Sequence, residues 1–99
     1  MAINIKLNIN NKELTYSHKN VFEGGEIHYL FSDGMFLYWI NAINDVVIGI
    51  SGTLKEEAES WEWWGKPFTD EQFQEHEKFA DFLDQPEHYE KFQKILIKL

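Results

Sequence analysis

The period of the apolar residues changes once along this chain, and that change limits what it can fold into. Up to about residue 50 apolar and polar side chains alternate; from residue 69 onward apolar side chains recur every third or fourth position. Alternation puts successive side chains on opposite faces of a strand, whereas the longer spacing lines one stripe of a helix. Sheet first and helices after is the order of an α+β protein, and 99 residues suit one domain, residues 1–99.

The strictest alternation comes first. Ile3, Ile5, Leu7 and Ile9 interleave with Asn4, Lys6 and Asn8 as a half-buried strand would. Asn10-Asn11 supplies residues that tolerate the positive φ of a tight hairpin, and Leu14 and Tyr16 resume the pattern. Residues 20–25 are expected to be a loop broken at Gly24-Gly25. Ile27, Tyr29 and Phe31 then share one face of a strand, with His28 and Leu30 on the other. Asp33-Gly34 signals a hairpin. Met35 to Ile40 is apolar on both faces, which fits a covered central strand and equally a short buried helix through Ala42. Asn44-Asp45 turns the chain into a last strand carrying Val46, Val47, Ile48 and Ile50.

Two helices follow. Thr69 and Gln72 form a capping-box pattern, and Asp70 and Glu71 sit where the helix dipole favours negative charge. Phe73, His76, Phe79, Ala80 and Leu83 make one stripe. Pro86 suits the first turn of the next helix, whose stripe is His88, Tyr89, Phe92, Ile95, Leu96 and Leu99. The expected fold is an antiparallel sheet of about four to five strands (residues 3–54) followed by helices at about 69–84 and 86–98 packed on one face. The sheet's other face then has fewer covers. Residues 53–64 carry two signals, helix formers at Lys55–Glu59 and strand-like alternation at Trp61 and Trp63.

Charge narrows the function. Nine lysines face seventeen acidic residues, for a formal charge of −8, and arginine is absent. Residues 51–99 hold −6 of that total. A nucleic-acid binder would show a basic face, so direct contact with nucleic acid is not expected; a basic protein is the partner such a field attracts. No cysteine is present, and the longest unbroken apolar run, Met35 to Ile40, is far too short for a bilayer. The first residues do not read as a signal peptide, so the expected location is cytoplasmic, away from membranes.

Two features stand out as sites. Trp61, Trp63 and Trp64 put three large aromatics within four residues, a stacking platform or a set of interface anchors. Large side chains also cap a thin core, and strand alternation would send Trp64 the opposite way from the other two. Around them stand Glu56, Glu57, Glu59 and Glu62, part of twelve carboxylates between residues 56 and 90. These suit electrostatic steering, and a solvated helix face has the same composition. His76 and His88 lack recognised metal-ligand spacing, so no metal is expected, nor any cofactor. Catalytic motifs are missing: Gly49-Ile50-Ser51-Gly52 is not a nucleophile elbow, and no phosphate loop occurs.

The expectation is a non-enzymatic acidic protein that docks on and neutralises a basic toxin, nuclease or defence enzyme, as phage counter-defence inhibitors and immunity proteins do. Trp61, Trp63 and Trp64 would anchor it, and Glu56, Glu57, Glu59 and Glu62 would steer it. A nucleotide or saccharide binder using the tryptophans is one alternative; a homodimer formed through the edge of the first strand is another.

Overall fold

The computed structural model describes residues 5–60, 68–97 and 99. Five strands run in chain order across one sheet: β1 (Lys6–Ile9), β2 (Lys12–Val21), β3 (Glu26–Ser32), β4 (Leu37–Ile43) and β5 (Val46–Gly52). Every neighbouring pair is antiparallel. The helices are α1 (Lys55–Ser60), α2 (Asp70–Leu83) and α3 (Pro86–Leu96). Among the described residues no helix is long and apolar enough to cross a membrane.

Turn chemistry explains the meander. Asn10 and Asn11 have φ of 51° and 64°, and Asn44 and Asp45 have φ of 50° and 69°. These are the left-handed values that match a two-residue hairpin to the twist of its strands. The β3–β4 connection departs from the expected tight turn. Asp33 Oδ1 accepts hydrogen bonds from the backbone N–H groups of Met35 (2.9 Å) and Phe36 (2.8 Å), so the chain wraps around the carboxylate. β4 therefore begins at Leu37 rather than Met35. Its residues are a strand through Ile43, and the short helix that the same pattern allowed does not form. β2 also runs further than expected, through Asn20 to Val21, so the loop shrinks to a single 3-10 turn at Glu23–Gly25.

Register shifts between Tyr16 and His18 and between Asn41 and Ala42 mark irregularities in β2 and β5. Such bulges sharpen the twist, and the sheet curls. Its concave face carries Leu7, Leu14, Tyr29, Phe31, Tyr38, Ile40, Ala42, Val47 and Ile50 in one buried cluster. Phe79, Ala80 and Leu83 of α2 and Phe92 and Leu96 of α3 complete that cluster, so the helix stripes read from the sequence face the sheet. Thr69 caps α2 in a full capping box with Gln72. Both helices lie against β5, one margin of the sheet. There Asp84 Oδ1 accepts from Ile50 N (3.0 Å) and Gln93 Oε1 from Val47 N (3.0 Å), two backbone donors that no strand serves. β1 is the opposite margin, with Lys6 paired to Glu13 at 3.3 Å.

Candidate functional site

α1 turns back from the end of β5 and stands between two clefts. Ala58 is its buried residue and joins Phe36 and Phe73 in a second apolar cluster. Glu56 and Glu59 are exposed, while Glu57 is half-buried. Trp61, Glu62, Trp63 and Trp64 lie outside the described residues. Of the residues expected to form a site, Glu56 and Glu57 are thus adjacent in sequence and serve different clefts.

The larger cleft, about 530 Å³, runs between the end of β5, α1 and α2. Glu56, Glu77, Asp81 and Asp84 line it, with Lys55 as the cation among the described residues. Lys55 Nζ reaches Asp70 at 3.0 Å, and that hydrogen bond and charge raise its pKa above the ordinary value. On the wider helical surface Asp70, Glu71, Glu75, Glu87 and Glu90 are also exposed. Lys55–Asp70 is the one lysine–carboxylate pair on the helices among the described residues.

His76 closes the floor of this cleft and is only 1% exposed. Its ring stacks on Phe36 with centroids 4.4 Å apart and planes at 19°, and meets the edge of Tyr38 at 4.9 Å. Burial lowers its pKa, with the Thr53 hydrogen bond opposing, so the neutral ring is favoured. Nε2 then donates to the Thr53 carbonyl at 3.1 Å, and Nδ1 has no partner among the described residues. Gly52 lies against it: a Cβ there would stand 2.6 Å from Nε2. The other helix-stripe histidine, His88, has separate surroundings, with Phe82 at 4.8 Å and Glu87 at 4.0 Å. Among the described residues no group of three or more His, Asp or Glu side chains is placed to hold a metal.

Among the described residues Asp33 is the most enclosed carboxylate, and it has a full set of partners. Its side chain is 9% exposed, and Oδ2 receives Lys12 Nζ at 3.3 Å and the Tyr38 hydroxyl at 3.0 Å. Burial pushes its pKa up, but the N–H groups of Phe36 and Met35, with Lys12 and Tyr38, outweigh that and leave it below the usual value. Burial and the Asp33 charge push Tyr38 upward in turn. A carboxylate so saturated holds a loop; it has no lone pair to spare for a substrate proton.

The second cleft, about 320 Å³, opens on the convex face of the sheet and is lined by His28, Trp39, Asn41, Ser51, Leu54 and Glu57, with Gly52 at its end. Cross-strand register explains the grouping. Leu30, Trp39 and Ser51 form one row, and His28, Asn41 and Gly49 the next. His28 is held by Glu26 (Nε2 to Oε1, 3.2 Å), lies 4.6 Å from the Phe22 ring and meets Trp39 edge-on at 6.4 Å. Asn41 Oδ1 is buried with no partner among the described residues. Sequence reasoning placed His28 on the strand face opposite Ile27, Tyr29 and Phe31 but missed Trp39 and Asn41. Alternation from Tyr38 was the available signal. Glu57 could not be assigned to the group from sequence, because it arrives only when α1 folds back.

No family model, curated protein or solved structure matches the chain.

Proposed function

We propose that this protein acts by docking on a basic protein and neutralising it, in the cytoplasm, rather than by catalysis. The observation that carries this reading is the state of the carboxylates on the helices. Glu56, Glu59, Asp70, Glu71, Glu75, Glu77, Asp81, Glu87 and Glu90 are exposed, with Lys55–Asp70 the only lysine pair among described residues there. Opposite charges placed on such helices ordinarily pair at a spacing of four. Their scarcity leaves a field directed at solvent, which accelerates encounter with a positive surface. A nucleic-acid-handling enzyme has such a surface, and covering it blocks the enzyme.

The test uses immobilised protein to capture partners from a lysate at low and high salt, beside a variant carrying Glu77→Gln, Asp81→Gln and Glu56→Gln. A basic protein should be retained at low salt, be inhibited by the domain in its own assay, and be lost from the variant. Capture and inhibition that ignore both salt and these substitutions would refute the reading.

A further inference from the structure

We propose that an apolar row on the convex face, at the end of the sheet where β2 turns into β3, seats the basic partner by taking one of its apolar side chains flanked by lysine or arginine. This rests on the docking reading above and names the surface that holds the partner once charge has drawn it in. Strand register builds the row. The Phe22 N–H donates to the Glu26 carbonyl at 2.8 Å, Glu26 stands opposite Ile43, and Ile43 stands opposite Val46. Residues opposite one another across antiparallel strands share a face, so these side chains lie side by side. Phe22, Ile43 and Val46 are 47%, 37% and 54% exposed, and Ile48, two residues further along β5, is 51% exposed. Single apolar residues are ordinary on a surface, whereas a contiguous group of them marks a contact. Glu26 is drawn aside from the row: His28 Nε2 holds its carboxylate at 3.2 Å, and the Phe22 ring lies 4.6 Å from the His28 ring.

Charge chooses the occupant. The two turns at this end are tied together by the Asn44 N–H, which donates to the Gly25 carbonyl at 3.0 Å, and they carry Glu23 and Asp45. Both carboxylates are exposed, and neither forms an ion pair among the described residues. With Glu26 they rim the apolar row in negative charge, so a partner that covers the row must bring positive charge to its own rim. A second copy of this chain fits less well, because its Glu23, Glu26 and Asp45 would face the same three groups. An anionic lipid surface would meet them too. The two surfaces divide the work: carboxylates on the helices speed encounter, and apolar burial at the row slows release.

Titration of isotope-labelled protein at low salt with the peptide Lys-Lys-Leu-Phe-Lys-Lys and with hexa-lysine, followed by amide resonances and calorimetry, tests the assignment. The first peptide carries two fewer charges, so attraction by charge alone favours hexa-lysine. The apolar row should reverse that order. The Leu-Phe peptide should bind about fivefold tighter, the return for burying part of one large apolar side chain, and should shift the amides of Phe22, Ile43 and Val46. Ile43→Thr with Val46→Thr keeps β-branched residues in both strands and should abolish the preference while leaving hexa-lysine affinity unchanged. Phe22→Ser, outside the strands, is the second variant and should reduce the preference in the same direction. Asp45→Asn, which tolerates the φ of 69° at that turn, should weaken the Leu-Phe peptide more than Glu90→Gln on exposed α3 surface does. Hexa-lysine binding as tightly as the Leu-Phe peptide, or a preference that survives these apolar substitutions, would overturn the row as the seat and leave the acidic docking reading standing. Failure of both peptides to bind would overturn both. A wild-type dimer in sedimentation that the threonine variant abolishes would assign the row to a second copy and overturn the proposal.

Discussion

Gly49 and Gly52 lie in the same strand, and one substitution is expected to act on them with opposite sign. A Cβ at Gly52 would stand 2.6 Å from His76 Nε2, 2.7 Å from its Cε1 and 3.0 Å from Ala80 Cβ. Neither neighbour can swing aside: Ala80 has no rotatable side chain, and the His76 ring is clamped on Phe36 at 4.4 Å. Overpacking of this kind costs roughly 1–3 kcal/mol. If the ring yields instead, its hydrogen bond to Thr53 goes, at about 1 kcal/mol. Alanine returns roughly 0.4–1 kcal/mol by restricting the unfolded chain. Gly52→Ala is therefore expected to destabilise by roughly 0.5–2.5 kcal/mol net. At Gly49 the nearest atom is Asp84 Oδ1 at 3.9 Å, an ordinary contact, so only the unfolded-state gain remains. In a domain of this size 1 kcal/mol moves the melting temperature by roughly 4–8 °C. Thermal and urea unfolding followed by circular dichroism should place Gly52→Ala well below the wild-type protein and Gly49→Ala level with it or above. A Gly52→Ala protein as stable as wild type would refute the tight contact between β5 and His76.

Three further outcomes follow from the buried groups and the cap. The folded pKa of His76 is lowered, so the unfolded chain takes up a proton first as pH falls. Its contribution is complete above about pH 6.5 and declines below, by at most about 1.4 kcal/mol per pH unit, until the lowered folded value is reached. Urea midpoints in that window should lose part of their pH dependence in His76→Phe; an unchanged slope would contradict the assignment. Asp33→Ala strands Lys12, the Tyr38 hydroxyl and two backbone N–H groups, and should cost about 3 kcal/mol. The Asp33 pKa is depressed, so its stabilisation is present above the usual carboxylate value and lost as pH falls through the folded one; the variant should lack that acid-sensitive component, and a loss under about 1 kcal/mol in urea would refute the loop's dependence on it. Thr69→Ala removes the capping box of α2 and should cost about 1 kcal/mol by the same assay, with no change indicating that the cap is dispensable.

The residues that were legible in the sequence are those whose chemistry acts locally. Asn10-Asn11 and Asn44-Asp45 announce their turns because few residues accept positive φ, and Thr69 with Gln72 announces α2. Stripe positions such as Phe73 and Leu83 need only a period to be found. Where the reading stopped short, a distant partner decided. Asn20 and Val21 read as loop because β1 pairs only as far as Thr15; beyond it β2 has one strand neighbour and is mostly polar while remaining a strand. Asp33 looks like one half of a turn dipeptide, yet its carboxylate accepts hydrogen bonds from the N–H groups of Met35 and Phe36 and the hydroxyl of Tyr38, and so organises the start of β4. The convex cleft depends on α1 folding back to bring Glu57 to Trp39 and Asn41, which no local pattern encodes. The tryptophans at 61, 63 and 64 lie outside the described residues; among the described residues the tryptophan is Trp39.

The side-chain closure of β5 sets an order for making this protein. The sheet's last strand ends at Gly52, but the groups that serve its outer backbone sit 34 positions after Ile50 and 46 after Val47. During synthesis the five strands leave the ribosome before Asp84 and Gln93 emerge to cover that margin. For that interval a nascent chain displays an open, apolar strand to its neighbours on the same message, the circumstance in which strands pair between molecules. The C-terminal helices thus finish a task the sheet cannot finish alone, and a chain released before α3 would carry a complete sheet with one side unfinished.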